Sequence, residues 1–132
     1  MTLVDSFSFG DVIEYMEDKY IFLVPSLHFV YIAKILSDSE TKIFNKMYQS
    51  HLKKGEPVEE KMVFWFVRLT CEDFKGQLAH LANAQKDVIY SKWFRKDNSA
   101  RINKEDLGSL KKEILEKRTW PELKDLVKDI TV

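Results

Sequence analysis

The chain of 132 residues has one cysteine, three prolines and four glycines, and its charges cancel, with 21 basic against 21 acidic side chains. A single cysteine, Cys71, excludes an internal disulfide and leads us to expect a reducing, cytoplasmic setting. The start, Met1-Thr2-Leu3-Val4-Asp5, lacks the basic and apolar regions of a secretory leader, and no apolar run approaches the length of a membrane span. We therefore expect no membrane partner. So few glycines and prolines exclude a fibrous or low-complexity chain, and neutral bulk charge gives no argument for a polyanionic partner. What is present is 45% apolar and 13% aromatic residues, the composition of a globular chain. At this length one domain spanning 1–132 can bury a core without metal or disulfide support.

Charge is unevenly placed. Residues 1–41 hold seven acids and two bases, net −5, whereas residues 92–118 hold nine bases and five acids, net +4. A basic segment of that kind suits a nucleic acid, and equally a solvated helix face.

Gly10-Asp11-Val12-Ile13-Glu14-Tyr15 and Lys19-Tyr20-Ile21-Phe22-Leu23-Val24 read as two strands of a tight hairpin, with Met16 to Lys19 as its turn. Phe29 to Leu36 reads as a third strand. Ile43, Phe44, Met47, Tyr48 and Leu52 then recur at helical spacing, so a helix is expected over 38–54, opened by the capping pair Ser37 and Glu40 and closed at Gly55. Met62 to Leu69 is apolar on both faces and predicts a central strand buried on both sides. Thr70 followed by Asp73 predicts an N-cap for a short turn that Gly76 limits. Leu78 to Ala82 fits either a strand or a helical turn, and 83–101 a loop with a short strand. Asn103, with Leu107, Leu110 and Ile114 behind it, predicts a helix to about 117. Pro121 with Leu123, Leu126, Val127 and Ile130 predicts another, and the two form a C-terminal pair over 103–130.

Gly10-Asp11-Val12, the strand ending at Thr70 and Ile102-Asn103-Lys104-Glu105-Asp106-Leu107 together resemble the MazF/PemK family of toxin ribonucleases. The resemblance implies an α+β fold: a small, strongly bent antiparallel barrel of SH3-like type over 10–36 and 62–101, of about five strands, with an inserted helix and C-terminal helices. It also implies metal-independent cleavage of single-stranded RNA, an antitoxin-like protein partner and a dimer. The family's catalytic pair is an arginine opening the second strand and a serine or threonine closing the later one. Thr70 matches the second position, but Lys19-Tyr20 stands where Arg-Pro is usual. A lysine offers a point charge in place of a fork that grips two phosphate oxygens. The loop between the first two strands is also shorter than in the family.

On that reading Lys19 and Thr70 are the candidate catalytic residues. Arg68, Lys92, Trp93, Phe94, Arg95, Lys96 and Arg101 are candidates for holding RNA, cations on phosphate and rings on bases. The plainer alternatives are surface charges for the cations, an N-cap for Thr70, and burial of Trp93 and Phe94 against the 104–117 helix. Cys71 and His80 could form a thiol and base only if the fold joined them. No histidine spacing suggests a metal site, no phosphate-binding glycine loop is present, and no cofactor is expected. The reading from a different class is a non-enzymatic interaction module that docks a protein, or a second copy, on Trp120, Leu123, Leu126, Val127 and Ile130.

Overall fold

The computed structural model describes residues 7–132. Ten elements follow in chain order: β1 (Val12–Tyr15), β2 (Asp18–Pro25), β3 (Phe29–Ile35), α1 (Asp38–Lys53), β4 (Phe66–Arg68), β5 (Leu78–Gln85), α2 (Lys86–Ile89), β6 (Arg95–Lys96), α3 (Lys104–Glu116) and α4 (Pro121–Val127). All strand pairs are antiparallel, in the order β4-β5-β3-β2-β1-β6.

This is an α+β fold with a six-stranded sheet, and β4 and β6 are its two edges. The expected closed barrel of about five strands is thus corrected to an open sheet. A register shift between Phe22 and Val24 bends the β2–β3 pair, as an extra residue in one strand does, but does not bring the edges together.

The hairpin is tighter than expected. Tyr15 pairs with Asp18, so only Met16 and Glu17 make the turn, and Met16 takes the positive φ of 56° that such two-residue turns require.

Strand pleat sends alternate residues to opposite faces. Val12, Ile21, Leu23, Ala33, Ile35, Val67 and Ala79 form one core with Leu110 and Ile114 of α3 and Leu123 and Val127 of α4. Ile13, Phe22, Val30 and Ile32 form a second on the other face, with Ile89 and Phe94.

The helices start where the sequence says they should. Ser37 accepts from Glu40 N, and the Glu40 carboxylate accepts from Ser37 N, the reciprocal capping box. Gly55, at φ +72°, closes α1 as its N–H bonds Leu52 O while Glu56 N bonds His51 O. Asn103 caps α3 through Asp106 N at 2.8 Å, and Pro121 occupies the first turn of α4.

Other expectations change or, where two alternatives stood open, are resolved. Met62–Phe64 is a 3-10 turn and β4 has only three residues at the sheet edge, so 62–69 is not a central strand. The hydrophobic run misleads because Phe64 and Trp65 are both buried despite being adjacent, which a 3-10 turn entering a strand achieves and a regular strand on a one-sided edge does not. Leu78 to Ala82 belongs to a strand, and 83–101 includes the one-turn α2 beside the short strand. Of the docking face expected on the last helix, Leu123 and Val127 are fully buried and belong to the core, Trp120 and Ile130 are half-buried, and Leu126 is exposed. Trp120 packs on Tyr31 with ring centroids 5.3 Å apart.

Candidate functional site

Lys19 and Thr70 are not brought together. The row Lys19, Ile35, Ala79, Val67 crosses four strands. Three strand spacings, about 14 Å along the sheet, separate its ends, and Thr70 lies three residues beyond Val67.

Each side chain is already engaged. Lys19 Nζ donates to Asp97 and, at 2.6 Å, to Glu14. The bond to Asp97, then that to Glu14, raises the lysine pKa, while Lys19 and then Ser99 hold the Asp97 carboxyl at about 2. An ammonium facing two carboxylates sits in a locally negative group and has little field left for a phosphate.

Thr70 does not cap the 3-10 turn at Glu72–Phe74; the residue in that position is Cys71, with no side-chain cap. The Thr70 hydroxyl donates to Asp106 Oδ1 at 2.7 Å, the Thr70 N–H reaches both Asp106 oxygens at 3.0 Å, and Cys71 N–H reaches Oδ2 at 2.9 Å. Asp106 is 1% exposed. Burial pushes its carboxyl pKa up, but the hydrogen bonds from Thr70 and Cys71 outweigh burial and leave it lowered. This cluster ties the end of β4 to the first turn of α3.

Sequence reading missed Asp106 as anything but a first-turn acid. The signal was there: positions 106, 110 and 114 share one helix face, and an acid on an otherwise apolar stripe needs buried donors.

Cys71 is buried in the helix-covered core, and burial raises its thiol pKa. His80 contacts Phe44, 5.6 Å between ring centroids, and bonds Val63 O at 2.7 Å. His80 pairs with Phe66 and alternates with Ala79 and Leu81, which point into the same core as Cys71. The sheet therefore lies between thiol and imidazole, and they form no catalytic pair. No group of three or more His, Cys, Asp or Glu that could hold a metal occurs among the described residues.

The basic-aromatic segment divides. Phe94 is buried, stacked on Tyr15 at 4.7 Å and tilted on Tyr20 at 5.8 Å. It packs in the second core, rather than against α3 as its burial reading expected. Trp93 is the opposite case, 64% exposed, with Lys92 Nζ 4.9 Å from its ring centroid.

Arg95 and Lys96 form the edge strand β6 and are exposed. Lys96 and Arg101 line one cavity of about 380 Å³ with Asp11, Asp97 and Asn98. Lys96 lies 3.4 Å from Asp11, whereas Lys92, Arg95 and Arg101 have no carboxylate ion pair among the described residues. Arg68 sits at the opposite edge, on β4, where its Nη1 donates to Gly76 O at 3.1 Å. The structure thus gathers the candidates of 92–101 around β6, with Lys19 beside them through Glu14 and Asp97, and leaves Arg68 and Thr70 at the other edge.

No family model matches the chain, and neither a curated protein nor a solved structure matches it. No helix among the described residues is long and apolar enough to cross a membrane.

Proposed function

We propose that this protein binds single-stranded RNA along its β6 edge and is toxin-like in the MazF/PemK sense without the family's cleavage pair. The observation that carries the reading is Trp93, a large aromatic left in solvent with an ammonium over its ring and Arg95 nearby in the chain. An exposed indole offers any base a stacking face, and unpaired cations beside it take phosphates. Lys19 and Thr70 serve the fold in this reading, since their partners are internal carboxylates.

Electrophoretic retardation of a long mixed-sequence single-stranded RNA tests it, without added metal. Retardation that weakens with salt and is lost in Trp93→Ala and Arg95→Ala is expected. No retardation at low salt overturns RNA binding. Discrete cleavage lost in both Lys19→Ala and Thr70→Ala overturns the structural assignment of those two residues.

One observation favours a second reading, a protein-interaction module. Helix α1 buries no residue and leaves Ile43 and Met47 exposed beside Val63, though not on the C-terminal helices where the sequence suggested the contact. An antitoxin-like protein or a second copy would cover that face. Sedimentation over a concentration range checks the homodimer form: association lost in Ile43→Lys supports it, and a monomer throughout removes it.

A further inference from the structure

We propose that the cleft at the opposite edge of the sheet binds a small organic phosphate, a phosphate ester carrying an aromatic body. The cleft holds about 340 Å³ and is walled by Arg68 at the end of β4, Arg118 in the α3–α4 connection, Lys61 and Lys117. Among the described residues Glu113 is the single acid lining it.

The four cations are not equivalent. Lys61 is bonded to Glu56 at 2.5 Å, and Lys117 lies 3.5 Å from Glu113. Lys117 also sits just past the C-terminus of α3, where a helix favours positive charge by itself. Arg68 and Arg118 have no carboxylate ion pair among the described residues. They come from separate elements and both line the cleft, Arg68 with its Nη1 also donating to Gly76 O at 3.1 Å, and the planar fork of arginine suits the several oxygens of a phosphate better than a lysine does.

A second observation points to the same ligand. Trp65 lines the cleft, and its indole Nε1 is a buried donor with no acceptor among the described residues. A buried N–H without a partner is costly, and a bound oxygen would satisfy it after a small shift. Tyr48 and Phe64 supply aromatic wall for the body of the ligand, and the volume suits a mononucleotide-sized molecule. Bare sulfate-like ions would use only the arginine end.

Calorimetric titration with adenosine monophosphate, inorganic phosphate and adenosine, alongside the ¹H–¹⁵N indole resonances, tests the proposal on the intact chain. Adenosine monophosphate is expected to bind most tightly, inorganic phosphate more weakly and adenosine least. Arg118→Ala and Arg68→Ala, both at exposed positions, should each weaken the monophosphate by about tenfold or more. The Trp65 indole resonance should move and that of Trp93 should not. Adenosine binding as tightly as its monophosphate, affinity unchanged in Arg118→Ala, or no binding of any of the three overturns it. RNA retardation in Arg118→Ala should equal that of the parent, so failure here and failure of the RNA reading are separate results.

Discussion

The two faces of the sheet are covered in different ways. On one, α3 and α4 press Leu110, Ile114, Leu123 and Val127, all fully buried, onto the strands, and Asp106 fastens α3 to the end of β4. On the other, the long helix α1 has no buried residue and touches the sheet side through ring edges, Phe44 against Phe64, Phe66 and His80. Helices α1 and α3 are each capped by a side chain. Caps and an apolar stripe therefore make a helix, since α1 has both, but only a layer packed against that stripe makes it part of the core.

The largest effect should come from Asp106→Ala, which strands the Thr70 and Cys71 N–H groups together and should cost about 3 kcal/mol or more in chemical denaturation. Asp106→Asn should cost less, since one oxygen still accepts from Thr70, and equal losses in the two variants would show that the carboxylate charge is what matters.

Next, Leu123→Ala should cost about 3 kcal/mol by leaving a cavity, whereas Ile43→Ala on α1 should stay within about 0.5 kcal/mol. Equal losses would break the contrast between the faces.

Gly10→Ala comes third, at roughly 1–2 kcal/mol in the same measurement. Gly10 has φ +93°, and an added Cβ would lie 2.5 Å from Leu107 Cδ2 on α3, a flexible methyl that can move only part of the way.

The smallest effect concerns pH. Asp97 is held at about 2 by Lys19 and then Ser99, below its value in the unfolded chain. Its contribution is therefore fully present above about pH 4 and is lost as pH falls through about 2. Lys19→Ala should flatten the loss of stability across that acid window while leaving the curve near neutrality parallel to the parent's. An unchanged acid slope would show that the pair contributes nothing measurable.

Elements governed by neighbours in sequence were legible beforehand. Ser37 with Glu40, Gly55, Asn103 and Pro121 act within a few residues of themselves, and α1, α3 and α4 begin or end at them. The 62–69 run was misread because an apolar run records burial without recording geometry: Phe64 and Trp65 are buried through a 3-10 turn at an edge. The candidate site was legible in part. Trp93 and Phe94 are adjacent and chemically alike, yet Tyr15 and Tyr20 take one ring and leave the other in solvent. Nothing local tells them apart.

By itself the amino-acid sequence determined the hairpin, the caps, the helical periods and the α+β class, because turn geometry, capping and hydrophobic period are short-range properties of the chain. Only the tertiary structure decided that the sheet stays open with β4 and β6 at its edges, that Lys19 answers Asp97 and Thr70 answers Asp106, and that the last helix gives Leu123 and Val127 to the core. Those outcomes join residues 78 and 36 positions apart. Their energies come from desolvation and pairing, which exist only once the distant partner is in place.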